Sequence, residues 1–313
     1  MTSVPSSRSM RWVLLLGGSF LFVLIRTSAF SASPTFNFKI AQTQFDIVTT
    51  GGQLSVSDSD VHNYVQRAAT AVNTYFGHFP LKHVNLDFRV ISGDRVRGGR
   101  SSPWHDGTIT VGIGRDTSAE TLLGDWTLTH EMVHLAFPAT REDNREWIGE
   151  GMATYIEPVA RAQCGYLTPE EVWKQFVNNM HKGLPQPGDQ GMDNTPTWGR
   201  TYWGGGLFWL MADIEIRKKT HNRTGVREAF RTIMNEDGTM LDLWPTWTIF
   251  ETGDRATGTR VLTDMYVAWK DKPVNVDLDK LWKDLGIEEK GDTVIFHDAA
   301  PYAAIRKAIT ARR

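Results

Sequence analysis

Thr129-His130-Glu131-Met132-Val133-His134-Leu135 carries the pattern H-E-x-x-H inside a segment whose apolar spacing is helical. On a helix, residues four apart lie one above the other on the same face. His130 and His134 can therefore close on a single ion while Glu131 projects beside them. This is a zinc hydrolase site in outline. Zinc takes neutral imidazole nitrogens at about 2.0–2.1 Å, and a catalytic site has three protein ligands plus one position for water. Two histidines are in hand, so a third ligand must come from elsewhere in the chain. The bare pattern also arises by chance on polar helix faces, which makes the third ligand decisive.

Upstream, Thr117-Ser118-Ala119-Glu120 reads as a T-x-x-E capping box, and Leu122, Leu123, Trp126, Val133 and Phe137 supply apolar surface before Pro138. The pattern predicts one helix of about 20 residues, firm enough to hold its ligands. Downstream, Ala139 to Arg145 form a polar loop, and Trp147 to Glu157 read as a second helix that Asp143 to Glu146 can cap. Glu150 lies near its start, on a helix that a short loop folds back on the first. A glutamate in a first turn also suits the helix dipole without any metal. Its flanking glycines, however, let another backbone pack closely, and two histidines with one glutamate form an established catalytic zinc set.

The string Trp147-Ile-Gly-Glu150-Gly-Met-Ala-Thr-Tyr-Ile-Glu157 resembles the W-x-N-E-G-F-A-x-Y-x-E signature of the gluzincin metallopeptidases, which include aminopeptidase N and leukotriene hydrolase. Thr201-Tyr202-Trp203-Gly204-Gly205-Gly206-Leu207 is similar to their Y-x-K-G segment, and Leu210 to Thr220 looks most like the glycyl aminopeptidase family. The likeness runs from about Thr117 to about Ile233. It implies one Zn2+ held by His130, His134 and Glu150, with Glu131 as general base and Tyr202 stabilising the oxyanion. It also implies a thermolysin-like α+β fold, with the site between a mixed-sheet lobe and a mainly helical lobe, and a peptide or protein substrate. Fifteen residues separate His134 from Glu150, a shorter connection than in aminopeptidase N relatives. Gly204 stands where the family has lysine, and no G-x-M-E-N segment precedes the histidines. Independently of the family, a phenol with an ordinary pKa near 10 can donate to an oxyanion while staying neutral. The other reading of Tyr202 is a core tyrosine among Trp198, Trp203, Phe208 and Trp209. Asp213 either orients a zinc histidine or is a helix-surface charge.

The remaining sequence sets limits. A chain of 313 residues with ordinary apolar and charged fractions can bury one large core or two lobes sharing a cleft. Its formal charge of -2 gives no sign of a nucleic-acid partner. Cys164 is the single cysteine, so no intrachain disulfide forms. Arg8 and Arg11 precede an apolar run from Trp12 to Ile25, followed by the small residues Thr27-Ser28-Ala29. That run is short for a membrane span and fits the core of a signal peptide over residues 1–29. Cleavage gives a secreted or periplasmic protein; an uncleaved segment gives a membrane anchor. The expected organisation is then an α/β lobe over 30–138 and a mainly helical lobe over 139–313.

Within the first lobe, strands are predicted at Phe36 to Thr50, Val84 to Val90 and Thr108 to Ile113, and a helix from Val61 to Phe76. Gly98, Gly99 and Ser101 to Pro103 read as a loop, and His105 as a turn or surface residue. The strand Thr108 to Ile113 either receives an extended substrate by strand addition or is an ordinary sheet member. Helices are predicted further on at Arg227 to Met234, Val261 to Trp269, Leu278 to Leu285 and Ala299 to Ala311. Two other functions fit the same residues: a catalytically silent binding protein, or a zinc hydrolase of a non-peptide substrate.

Overall fold

Apolar residues at every second position build the first part of the chain into a sheet. A computed structural model describes residues 36–313, and the segment read as a signal peptide lies outside them. Strands β1 (Phe36–Ile40) and β2 (Thr43–Thr50) form an antiparallel pair, followed by helix α1 (Asp58–Phe76) and strand β3 (His83–Ile91). Strand β4 (Val96–Ser102), a short turn at Trp104–Asp106 and strand β5 (Thr108–Gly114) complete a five-stranded sheet of order β1-β2-β3-β5-β4. β2, β3 and β5 run parallel, while β1 and β4 are antiparallel to their neighbours at the two edges. Phe45, Ile47, Leu86, Phe88, Ile109 and Val111 are buried on the sheet, and Val61, Val65, Ala69 and Val72 on α1. Ser57 and Asp60 form the capping box that starts α1, and Gly77 ends it at φ 93.

Two differences from the expected pattern concern the site. Gly98, Gly99 and Ser101 to Pro103, read as a loop, fall largely within an edge strand, Val96–Ser102, because β5 supplies hydrogen-bonding partners that its glycines and arginines do not announce locally. β5 in turn lies between β3 and β4, so both its edges are taken and it cannot accept a substrate strand. The sheet edge next to Glu131 is that of β4.

Helices dominate the rest: α2 (Ala119–Gly124), α3 (Thr127–His134), α4 (Glu146–Gln163), α5 (Pro169–Asn179), α6 (Gly205–Lys219), α7 (Val226–Asn235), α8 (Thr246–Thr257), α9 (Val261–Trp269), α10 (Leu278–Leu285) and α11 (Ala303–Thr310). Short strands β6 (Ala139–Thr140) and β7 (Leu243–Trp244) pair in parallel, and β8 (Ile287–Lys290) and β9 (Thr293–Phe296) form a hairpin. The fold is α+β. One hydrophobic cluster runs from Phe45 of the sheet through Leu128, Ile148 and Trp209 to Ile309 of the last helix. Among the described residues no helix is long and apolar enough to cross a membrane.

Candidate active site

The predicted single helix of about 20 residues is two, because Asp125 breaks it. Its backbone is extended (φ -66, ψ 146), and its carboxylate accepts from the Thr127 amide at 2.7 Å and from the Tyr64 hydroxyl at 2.8 Å. Asp125 thereby satisfies one of the free amides at the start of α3. The expected box at Thr117 and Glu120 is not formed; Ser118 caps α2 by accepting from the Thr121 amide. α3 is only eight residues long, and Thr127 through Val133 are all buried, which fixes the rotation of both histidines about its axis.

Glu150 comes from α4, which starts without a side-chain cap, so the expected role of Asp143 to Glu146 is not realised. Packing holds this end instead. Trp147 donates from Nε1 to Asp193 Oδ1 at 2.9 Å, and Asp193 Oδ2 accepts from the Tyr266 hydroxyl at 2.9 Å and pairs with Arg145 at 3.0 Å. The backbone at Gly151 lies directly against that of Gly205 on α6, where a side chain on either residue would collide with the other strand of backbone. Trp209 donates to the Ile148 carbonyl at 2.9 Å and closes the same seam.

These supports bring three donor atoms to one point. His130 Nε2 and His134 Nε2 each lie 3.3 Å from Glu150 Oε2, and 3.3 Å from each other. A tetrahedral ion with bonds of about 2.0–2.1 Å needs ligand atoms roughly 3.3–3.4 Å apart, so the triangle fits zinc without rearrangement. It is the group of three or more potential ligand side chains found among the described residues. Burial pushes the Glu150 carboxyl up, but hydrogen bonds to the two imidazoles override it and hold the group well below the usual range. Burial depresses His130, whereas Glu150 outweighs burial at His134 and raises it.

Tyr202 approaches from the other side, within a single π-helical stretch, Gly199–Gly204, at the head of α6. Such wide turns redirect side chains and recur at functional sites. Buried Arg200 anchors this one, pairing with Asp189 at 2.8 Å and donating to the Gly183 carbonyl at 2.5 Å. The Tyr202 ring stacks on His130 at 6.3 Å between centroids and lies tilted against Trp198 at 6.1 Å. Half-buried, it is not a core tyrosine. Burial first, then the charges of Glu150 and Glu131, push its phenol up to about 12. Tyr202 lines a cavity of about 760 Å3 together with His130, Glu131, Trp126, Gly98 and Gly99. Glu131 is buried against β4: a Cβ added at Gly99 would lie 2.6 Å from Glu131 Cγ.

Asp213 does not reach a histidine. It accepts from the Tyr155 hydroxyl at 2.7 Å, Arg217 Nε at 2.9 Å and the Val226 amide at 2.9 Å, and so ties α4, α6 and α7 together. His105 is an exposed turn residue at φ 50. Sequence reasoning missed Asp125, the Asp193 cluster and the edge strand. Only Asp125 had a local signal, since Gly-Asp two residues before a helix-forming run is a start pattern.

No family model matches the chain, and no curated protein matches it. Solved structures do. An aminopeptidase N family protein from Idiomarina loihiensis aligns with a TM-score of 0.61 at 14% identity, over 80% of this chain and 49% of that one. A two-domain M1 zinc metallopeptidase crystallised with L-arginine gives 0.50 at 11% identity, over 78% and 52%. Legionella pneumophila aminopeptidase A, in complex with aspartic acid, gives 0.50 at 12% identity, over 74% and 27%. The chain thus spans about half the length of these proteins or less. At such identities the likeness is one of fold: this is the α+β fold found in M1 zinc aminopeptidases.

Proposed function

We propose that the chain is a zinc-dependent peptidase with His130, His134 and Glu150 as ligands, Glu131 as general base and Tyr202 as oxyanion donor. The observation that carries this reading is the 3.3 Å triangle of donor atoms beside a cavity that also holds a carboxylate and a phenol. Zinc bound there supplies Lewis acidity and lowers the pKa of its water to about 7. Glu131 takes the proton as the water oxygen adds to the scissile carbonyl, then passes it to the leaving nitrogen as the C–N bond breaks. Tyr202 O–H donates to the carbonyl oxygen as it gains charge, and its raised pKa keeps that proton in place at working pH. The unpaired edge of β4 beside Glu131 offers backbone partners for an extended substrate.

The reading includes a two-lobed, thermolysin-like arrangement divided after Pro138, kinship with the glycyl aminopeptidases through Leu210 to Thr220, and export by residues 1–29. The test is hydrolysis of a peptide library with and without a chelator, alongside metal content per chain. Chelator-sensitive cleavage at about one zinc per chain is expected. A zinc-loaded chain that cleaves no peptide would sink the peptidase reading, leaving the silent binding protein or the hydrolase of a non-peptide substrate.

A further inference from the structure

The geometry points to cleavage inside a polypeptide, with substrate residues held on both sides of the scissile bond; this rests on the peptidase reading above. Two cavities open onto the donor triangle from opposite ends of α3. One, of about 760 Å3, touches His130 and Glu131 near the start of the motif; the other, of about 400 Å3, touches His134 at its end, together with Glu150. A site built to remove one terminal residue needs a closed end on one side of the metal. Here there is usable space on each side.

The edge strand joins the two. Gly98 and Gly99 line the larger cavity, and Pro103, one residue beyond the end of β4, lines the smaller. β4 therefore runs past the donor triangle from one cavity to the other with its outer edge free. Its seven residues span roughly 23 Å at about 3.3 Å each, long enough to pair with several residues of an extended chain.

Exposed tryptophans mark both ends of this track. Trp126 (52% exposed) and Trp198 (62%) line the larger cavity, and Trp104 (74%) follows Pro103 at the smaller. Large apolar side chains left in water beside a cleft are surfaces for a ligand to cover. Carboxylates in the larger cavity are also committed elsewhere. Glu157 pairs with Arg161 at 2.8 Å, and Glu171 caps α5 by accepting from the Thr168 amide at 2.6 Å. Apart from Glu131, neither is left without a partner to fix a terminal ammonium in that cavity.

The zinc-loaded full chain is given peptides of about ten residues, either free at both ends or acetylated and amidated, and products are mapped by mass spectrometry. Internal cleavage of the blocked peptide, with kcat/KM within about threefold of the free one, is the expected result. Extending short blocked peptides by one residue on either side should each raise kcat/KM several-fold. Stepwise release of single amino-terminal residues, with the blocked peptide slower by about 100-fold or more, overturns the inference while leaving the peptidase reading intact. Cleavage of neither form removes both.

Discussion

Replacing Gly99 by alanine tests whether the edge strand positions Glu131, the proposed general base. The new Cβ would lie 2.6 Å from Glu131 Cγ, 2.7 Å from Thr127 Cγ2 and 2.8 Å from Glu131 Oε1. Carbon atoms in ordinary contact sit about 3.5–4.0 Å apart, so a displacement of about 1 Å is required. Thr127 cannot give way easily, because Asp125 and Tyr64 pin the start of α3. Either Glu131 rotates or β4 retreats, and both spoil the alignment of base and substrate. A 1 Å misplacement costs about 100-fold in rate, equivalent to about 2.7 kcal/mol of activation free energy. Overpacking should also lower stability by about 1–3 kcal/mol. The assay is kcat for a chelator-sensitive peptide, with zinc content and Tm measured on the same sample. Gly258→Ala is the control. Gly258 ends α8 at φ 67 with no neighbour near the added atom, so it should lose stability without losing rate. Full activity and an unchanged Tm for Gly99→Ala would refute the placement of Glu131 against the strand.

Three further outcomes follow from the same geometry. Glu131→Gln should retain zinc and lose hydrolysis by about 10²–10⁴-fold, measured by metal analysis and single-turnover kinetics. Tyr202→Phe should lower kcat by about 10²–10³-fold. Because the phenol is pushed up to about 12, this variant should leave the alkaline limb of the pH profile where it was; a limb that moves would assign the titration to Tyr202. Asp193→Asn should flatten the dependence of Tm on pH. Burial raises the folded pKa of Asp193 above its ordinary 3.8, so the folded chain keeps that proton to higher pH than the unfolded chain. Its contribution is fully present below 3.8 and is lost as pH rises through the raised value, a decline the asparagine variant should lack. Parallel Tm curves for the two proteins would count against this.

The grouping of His130, His134 and Glu150 was legible because H-E-x-x-H is a fixed helical spacing and Glu150 lies near the start of the next helix, whereas Tyr202 was reached through the resemblance of its segment. Periodicity also marks α1, β3, β5 and the later helices α7, α9 and α10. What escaped depends on partners distant in sequence. Val96–Ser102 contains two glycines, two arginines and two serines, a composition that reads as a loop, and only its ladder with β5 makes it a strand. The interruption between α2 and α3 hinges on one carboxylate meeting the hydroxyl of Tyr64, sixty-one residues away. The π-helical stretch before α6 has no composition of its own. It arises where Arg200 reaches Asp189 and Gly183, eleven and seventeen residues away.

The abutment of Gly151 and Gly205 ties two parts of the chemistry into one fixture. One residue follows the carboxylate that completes the triangle, and the other stands three after the phenol. Any attempt to re-tool this chain for an ion with longer bonds, by easing Glu150 outward, would drag α6 and therefore Tyr202 with it. In the proposed enzyme, the grip on the cation and the hydrogen bond to the substrate could not be adjusted separately. A designer seeking room would meet a second close contact on the strand side, where Gly99 lies against Glu131 and Thr127.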